Sequence, residues 1–218
     1  MLKNLLIINA TPKTDGLCYS FVEAAKEAAA NLMLYCEVIN LAGAGLKKCV
    51  MCYDGWGICF KEHVCVFGDA DGFSNLQQKV KMADAFVYIT PVYWGEVSEE
   101  LKVFWDKLRR CEATKQWDER AEEVSFHKNK PSIIVAAAGG GCGGIISTFA
   151  QMERTIEHMS ENTGLMNGNA GVFDYIAVNR WNQEYKRVAL KAAIAEMTAI
   201  KNGKEAPVMN HIKDLEKF

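Results

Sequence analysis

Ala85-Phe86-Val87-Tyr88-Ile89-Thr90-Pro91-Val92-Tyr93-Trp94-Gly95-Glu96-Val97-Ser98 is the stretch that decides the fold. Its first half, Ala85 to Ile89, is a continuous apolar run without polar alternation. That is the pattern of a strand covered on both faces in a parallel sheet. Pro91 has no N–H to donate and is expected to end the ladder. Ser98 offers an N-cap, and Glu99 and Glu100 fall in the first turn, where the helix dipole favours negative charge. Leu101, Phe104, Trp105 and Leu108 follow at i, i+3, i+4 and i+7, one apolar stripe of an amphipathic helix. The order is strand, loop, helix, and the loop carries Tyr93 and Trp94 beside Gly95. Two large aromatics beyond a buried strand suit a flat ligand that covers them; the plainer reading is an aromatic pair packing the turn.

Working outward, the same alternation recurs. Buried strands are expected at residues 3–8, 34–39, 84–90 and 132–138, with a weaker one at 171–176. Helices are expected at 18–32, 73–82, 98–111, 145–162 and 182–201. This predicts an α/β fold with a five-stranded parallel sheet, helices on both faces, and the flavodoxin-like strand order 2-1-3-4-5. One domain spans residues 1–201, and 202–218 read as a surface tail. Residues 106–130 are highly charged and are expected to be a solvated excursion between a helix and a strand.

Composition excludes several classes. The chain has 218 residues, enough for a large single core, and a net charge of −2, so neither nucleic acid nor an anionic membrane is an expected partner. The first apolar run stops at Asn9, too short for an export signal. Residues 131–152 carry no Asp, Glu, Lys or Arg, but five glycines at their centre argue against a membrane span. The protein is expected to be soluble and cytoplasmic. Eight cysteines without an export signal argue against a disulfide framework. Cys18, Cys36, Cys111 and Cys142 are scattered and read as small hydrophobes.

Three loops follow strands that are neighbours in a 2-1-3-4-5 sheet, so they gather on one rim, where such sheets bind ligands. The first, Asn9 to Ser20, joins a strand to a helix N-terminus, where free N–H groups and the dipole suit a phosphate. Thr11 and Ser20 offer hydroxyls, Lys13 a counter-charge and Gly16 close backbone approach. The second is Pro91 to Val97. The third, Gly139-Gly140-Gly141-Cys142-Gly143-Gly144, is nearly bare of side chains. That suits either a ring edge lying against backbone N–H groups or a mobile lid.

These residues resemble the NAD(P)H-dependent FMN reductase and multimeric flavodoxin families. There a Pro-Val-Tyr-Trp-Gly loop precedes Ser and then Leu-Lys-x-Phe, as at Pro91 to Phe104. The first loop resembles the families' Ser-Pro-Arg-x-x-Gly-Asn-Thr phosphate loop at Thr11, Pro12, Lys13 and Gly16, but departs from it at Leu17 and Cys18. Relatives also carry a Gly-Gly-x-Gly-Gly third loop. The resemblance implies a flavodoxin-like three-layer sandwich that binds FMN without covalent attachment. It places the phosphate at Thr11, Lys13, Gly16, Leu17 and Cys18. It places the ring at Pro91, Val92, Tyr93, Trp94 and Gly95 and its edge at Gly139, Gly140, Gly141 and Gly143. It further implies hydride transfer from NAD(P)H to FMN and on to a flavin, quinone or other small acceptor. No catalytic acid or base is needed, because the cofactor carries the chemistry. A homodimer or homotetramer is implied as well, with Trp56, Trp117 and Trp181 as candidates for the contact.

Cys49-x2-Cys52-x6-Cys59-x5-Cys65 supplies four thiols, enough for a tetrahedral metal or a cubane cluster. The segment resembles the compact cysteine motif of iron–sulfur flavoproteins, with an insertion at residues 54–57. A [4Fe–4S] cluster at Cys49, Cys52, Cys59 and Cys65, no metal, zinc, or a redox-active pair all stay open. With a cluster, the alternative function is electron carriage between partners. The four histidines are dispersed and receive no role.

Overall fold

A computed structural model describes residues 1–140, 143–160 and 171–204. Strands β1 (Asn4–Asn9), β2 (Tyr35–Asn40), β3 (Ala85–Pro91), β4 (Pro131–Ala137) and β5 (Gly171–Val178) form one parallel sheet in the order β2-β1-β3-β4-β5. Helices α1 (Leu17–Asn31), α2 (Phe73–Met82), α3 (Glu99–Glu112), α4 (Ile145–Ser160) and α5 (Gln183–Lys201) complete the expected three-layer sandwich.

The two faces follow from the period of two along each strand. Leu6, Ile8, Phe86, Tyr88 and Ile134 face α2, α3 and α4, meeting Phe73, Phe104, Trp105 and Met152. Leu5, Ile7, Val87, Ile133 and Val135 face α1 and α5, meeting Phe21, Val22, Leu190 and Ile194. Every position of β3 is buried, which is why its sequence lacks polar alternation.

Three expectations need correction. Pro91 does not end the ladder: it pairs in register with Ala137, and the next N–H, that of Val92, donates to the Ala137 carbonyl at 2.9 Å. Successive N–H groups of a strand point to opposite neighbours, so the missing donor of Pro91 faces the β1 side. There the last bond is Ala10 N–H to the Ile89 carbonyl. Residues 106–130 are a solvated excursion only in their middle, where Glu119, Arg120, Glu122 and Glu123 are exposed; the segments on either side fold inward. Glu112, Ser125 and His127 are buried, and the Glu112 carboxylate accepts from Gln77 Nε2 at 2.8 Å, Lys115 Nζ at 3.1 Å and the Phe126 N–H at 2.7 Å. Glu112 and Lys115 are therefore satisfied by each other inside. Cys111, read as scattered, stands against the cysteine loop, as described below. Of the expected tail, Asn202 accepts the Leu2 N–H at 2.7 Å. Residues 205–218, Gly141 and Cys142 lie outside the described residues.

Candidate functional site

The carboxyl ends of β1, β3 and β4 lie side by side, and specific bonds lock their loops together. Ser98 caps α3 by accepting the Leu101 N–H, and its hydroxyl donates to the Ala10 carbonyl at 2.9 Å. Its own N–H donates to Thr90 Oγ1 at 3.0 Å. One serine thus starts the helix and ties the β3 loop to the β1 loop.

The β3 loop is a tight hairpin. Tyr93 and Glu96 exchange both backbone hydrogen bonds, at 3.0 and 3.1 Å, with Trp94 at φ +54° and Gly95 at φ +87° between them. Two positive φ values in a two-residue turn are the I′ pattern. Trp94 is fully exposed and Tyr93 half-exposed. A tryptophan held left-handed with its ring in water is strained and wet at once, as happens where the chain is shaped for a ligand rather than for itself.

Gly95 meets the third loop. A Cβ on Gly144 would stand 2.7 Å from the Gly95 nitrogen and overlap its Cα. Ser147 Oγ sits within hydrogen-bond reach of both carbonyls, that of Gly95 at 2.7 Å and that of Gly144 at 3.0 Å. A Cβ on Gly139 or Gly140 would meet nothing within 4 Å, so their backbone borders open space. Gly143 is exposed in the same loop.

In the first loop, α1 begins at Gly16 with no side-chain cap and no acidic residue in its first turn, leaving its leading N–H groups for an anion. Thr11 is buried and shapes the loop: its N–H donates to Asn9 Oδ1 at 3.1 Å, and its Oγ1 accepts from the Lys13 N–H at 3.4 Å. Lys13 is exposed. The Cys18 thiol is buried beside Thr11, and burial pushes its pKa up to about 11, so it is a neutral thiol and no anion competes with a phosphate there. The Ser20 hydroxyl turns inward, donating to the Leu17 carbonyl at 2.7 Å and accepting from the Arg187 guanidinium at 3.2 Å. These features fit FMN. An uncapped helix start takes a phosphate, and a glycine-lined edge beside two exposed aromatics takes a flat ring.

The cysteine loop lies over α3. Cys49, Cys52, Cys59 and Cys65 line one pocket, and Lys107, Arg110 and Cys111 of α3 line its floor. Arg110 donates to the Gly55 carbonyl at 2.5 Å and lies 4.8 Å from the centre of the Trp56 ring, so the insertion at 54–57 is pinned to the helix. Lys107 makes a buried ion pair with Asp71, whose carboxylate also accepts the Lys47 and Phe73 N–H groups at 2.9 and 3.2 Å. Burial pushes the Asp71 carboxyl up, but Lys107 and the two N–H groups outweigh it and hold it below its ordinary value. His63, between the third and fourth cysteines, sits 3.1 Å from Thr114 Oγ1, a second anchor of the loop.

Among the described residues no three metal-ligating side chains stand close enough to share one ion. The free space at the centre is about 20 Å³, room for roughly one water. In this arrangement the pocket has no room for a four-iron cluster; its loop carries exposed Val50, Met51 and Tyr53, the last two left-handed.

Sequence reasoning missed Ser147, Arg110 and Cys111. Ser147 carries no signal in a helix start. Arg110 and Cys111 end the α3 segment, and nothing local says which loop packs on them.

An iron–sulfur flavoprotein of Methanocaldococcus jannaschii is 32% identical over 147 residues, 66% of this chain and 67% of the relative. Among solved structures, an FMN-dependent NADH-azoreductase from Bacillus anthracis superposes with a TM-score of 0.61 at 12% identity, covering 92% of this chain and 100% of the other. An NAD(P)H:quinone oxidoreductase from Methanothermobacter marburgensis does so with a TM-score of 0.60 at 13% identity, covering 93% and 97%. These two likenesses bear on the fold alone. No helix among the described residues is long and apolar enough to cross a membrane. Residues 4–160 match the family model described as NADPH-dependent FMN reductase, and the chain belongs to that family.

Proposed function

We propose that this protein is an FMN-dependent oxidoreductase that moves hydride from NAD(P)H to bound FMN and on to a flavin, quinone or other small acceptor. The observation that carries this reading is the backbone contact of Gly95 with Gly144 beside exposed Tyr93 and Trp94. It is a ring-sized seat without side chains on one side and with aromatics on the other. The leading N–H groups of α1 at Leu17 and Cys18, with Thr11, Lys13 and Gly16, hold the phosphate. Pro91, Val92, Tyr93, Trp94 and Gly95 border the ring, and Gly139, Gly140 and Gly143 offer N–H groups to its edge; Gly141 joins them on its place in the sequence. Bound FMN supplies the hydride and electron chemistry. No residue of this chain is assigned as a catalytic acid or base. Apo protein should take up FMN at micromolar concentration, and the flavin absorbance should bleach on anaerobic addition of NAD(P)H. A folded preparation that refuses FMN ends this reading.

A second reading is favoured by the cysteine pocket together with the iron–sulfur flavoprotein relative: a [4Fe–4S] cluster at Cys49, Cys52, Cys59 and Cys65, with the protein carrying electrons between partners. Iron and acid-labile sulfide in an anaerobic preparation, without rapid NAD(P)H turnover, distinguish it. We further propose residues 1–201 as the FMN-binding domain with 202–218 as its tail. We place the protein in the cytoplasm as a homodimer or homotetramer, with neither nucleic acid nor membrane as partner. Exposed Trp56, Trp117 and Trp181 are its candidate contacts, and light scattering with tryptophan variants tests that assembly.

A further inference from the structure

We infer that Ser147 and Gln151 are positioning residues of the ring seat, a pair of side chains on α4 that holds the β3 turn in the shape the flavin ring meets. The inference rests on the reading that this turn borders FMN. The turn has little of its own to hold it. Trp94 is fully exposed and Tyr93 half-exposed, and Trp94 and Gly95 are both left-handed. Within the turn the backbone supplies the two bonds exchanged between Tyr93 and Glu96. Further hold comes from the neighbouring layer. Ser147 Oγ donates to the Gly95 carbonyl at 2.7 Å, and the Val97 N–H donates to Gln151 Oε1 at 3.1 Å. Ser147 and Gln151 stand at i and i+4, one above the other on the same face of α4. Together they take one acceptor and one donor from either side of Glu96.

The hydroxyl of Ser147 has one hydrogen to give, whereas a carbonyl has two lone pairs to fill. Its oxygen lies near two carbonyls, but that of Gly144 already accepts the Thr148 N–H at 3.0 Å and the Thr148 hydroxyl at 2.9 Å. The Gly95 carbonyl has no other donor among the described residues, and its contact with Ser147 is the shorter. The N–H of the same peptide, that of Glu96, is taken by the Tyr93 carbonyl at 3.1 Å. Both ends of the Gly95–Glu96 peptide are therefore fixed, the carbonyl by α4 and the N–H by the turn. Ser98 ties the foot of the loop to β1, and Ser147 and Gln151 tie its outer limb to α4. A turn held from two sides stands in one pose before the ligand arrives, which lowers the ordering cost of binding.

The test compares wild type with Ser147→Ala, Gln151→Met and the double variant Ser147→Ala/Gln151→Met. Ser147→Thr and Gln151→Glu serve as conservative variants that keep the donor and the acceptor. FMN is titrated into each apo protein, and the visible absorbance of the bound flavin is recorded. Circular dichroism checks folding, and the single variants decide the matter if the double variant does not fold. Each single variant should weaken FMN about fivefold and the double variant about twenty-five-fold, the worth of one and of two hydrogen bonds. The band of the bound flavin should shift in the double variant, and the conservative variants should stay within about twofold of wild type. Unchanged FMN affinity in the double variant overturns the inference, and so does a loss that the conservative variants share. A loss of affinity with an unaltered band assigns the pair to general stability and overturns it as well. If wild type refuses FMN, the flavin reading falls, and amide hydrogen exchange in the apo protein decides whether the pair positions the turn. Exchange of the Val97 amide about fivefold faster in the double variant supports it, and a rate equal to that of wild type overturns it.

Discussion

Gly95 and Gly144 meet backbone to backbone, both left-handed at φ +87° and +85°, with Ser147 Oγ within reach of both carbonyls. This contact joins the loop after β3 to the loop after β4 and leaves no room for a side chain between them. It makes the third loop a fixed wall at its α4 end, not a lid.

Gly144→Ala should therefore cost both stability and cofactor affinity. A left-handed alanine that overlaps the Gly95 backbone costs about 1–3 kcal/mol. A displacement of the two loops worth 1.4 kcal/mol weakens FMN about tenfold. Denaturant unfolding of the apo protein and FMN fluorescence titration check the two effects. Unchanged values for both would show that the loops move apart freely.

Trp94 should behave in the opposite way. Its exposed ring contributes little packing, and its left-handed backbone costs roughly 1–2 kcal/mol, partly offset in glycine by the greater freedom of the unfolded chain. Trp94→Gly should leave apo stability unchanged or raise it by up to about 1 kcal/mol, while KM for the nicotinamide or the acceptor rises. A destabilised apo protein with unaltered kinetics would assign the ring to packing instead.

The Lys107–Asp71 pair holds the exit of the cysteine loop to α3. Lys107→Met leaves the Asp71 carboxylate buried without its cation, which costs about 3–5 kcal/mol. The Asp71 carboxyl is held below its ordinary value in the folded state, so its contribution is complete above the unfolded value of about 3.9 and is lost as pH falls through the folded value. In Lys107→Met this acid-side loss should shrink. Stability followed by fluorescence at pH values below about 4 reads the difference, and identical slopes in the two proteins would refute it.

His127 should give a separate pH signature. It stacks on Phe86 at 4.5 Å between ring centres and shares a 2.6 Å hydrogen bond with the Tyr88 hydroxyl. Burial, then Lys130 and Lys115, push its pKa down to about 3. An unfolded histidine takes a proton near pH 6.5 and the folded one does not, so stability falls as pH drops from about 6.5 toward 3, by up to roughly 1.4 kcal/mol per pH unit. His127→Gln keeps a partner for Tyr88 but cannot take up the proton, and should flatten that slope. A slope as steep as that of wild type would mean that other groups carry it.

The strands and helices were legible in the sequence because each depends on local pattern; the sheet order and the meeting of three loops followed from the rule that such alternation folds as a doubly wound sheet. The unbroken apolar run at Ala85 to Ile89, the Ser98 cap and the stripe from Leu101 to Leu108 each state one element without reference to the rest. The aromatic–glycine turn and the bare third loop were legible for the same reason: glycine at a strained position and tryptophan on a turn are costly unless something calls for them.

What the chain order could not say is which loop faces which helix. Pro91 stays in its strand because the neighbour it fails to bond has already ended. Glu112, Lys115 and His127 go inside because Gln77, Phe126 and Tyr88 wait there to satisfy them. Cys111 becomes part of a thiol pocket because a loop some fifty residues earlier folds across the end of its helix. Local periodicity declares an element and its buried face. The identity of the group that meets that face is a long-range packing fact, created only when the layers close.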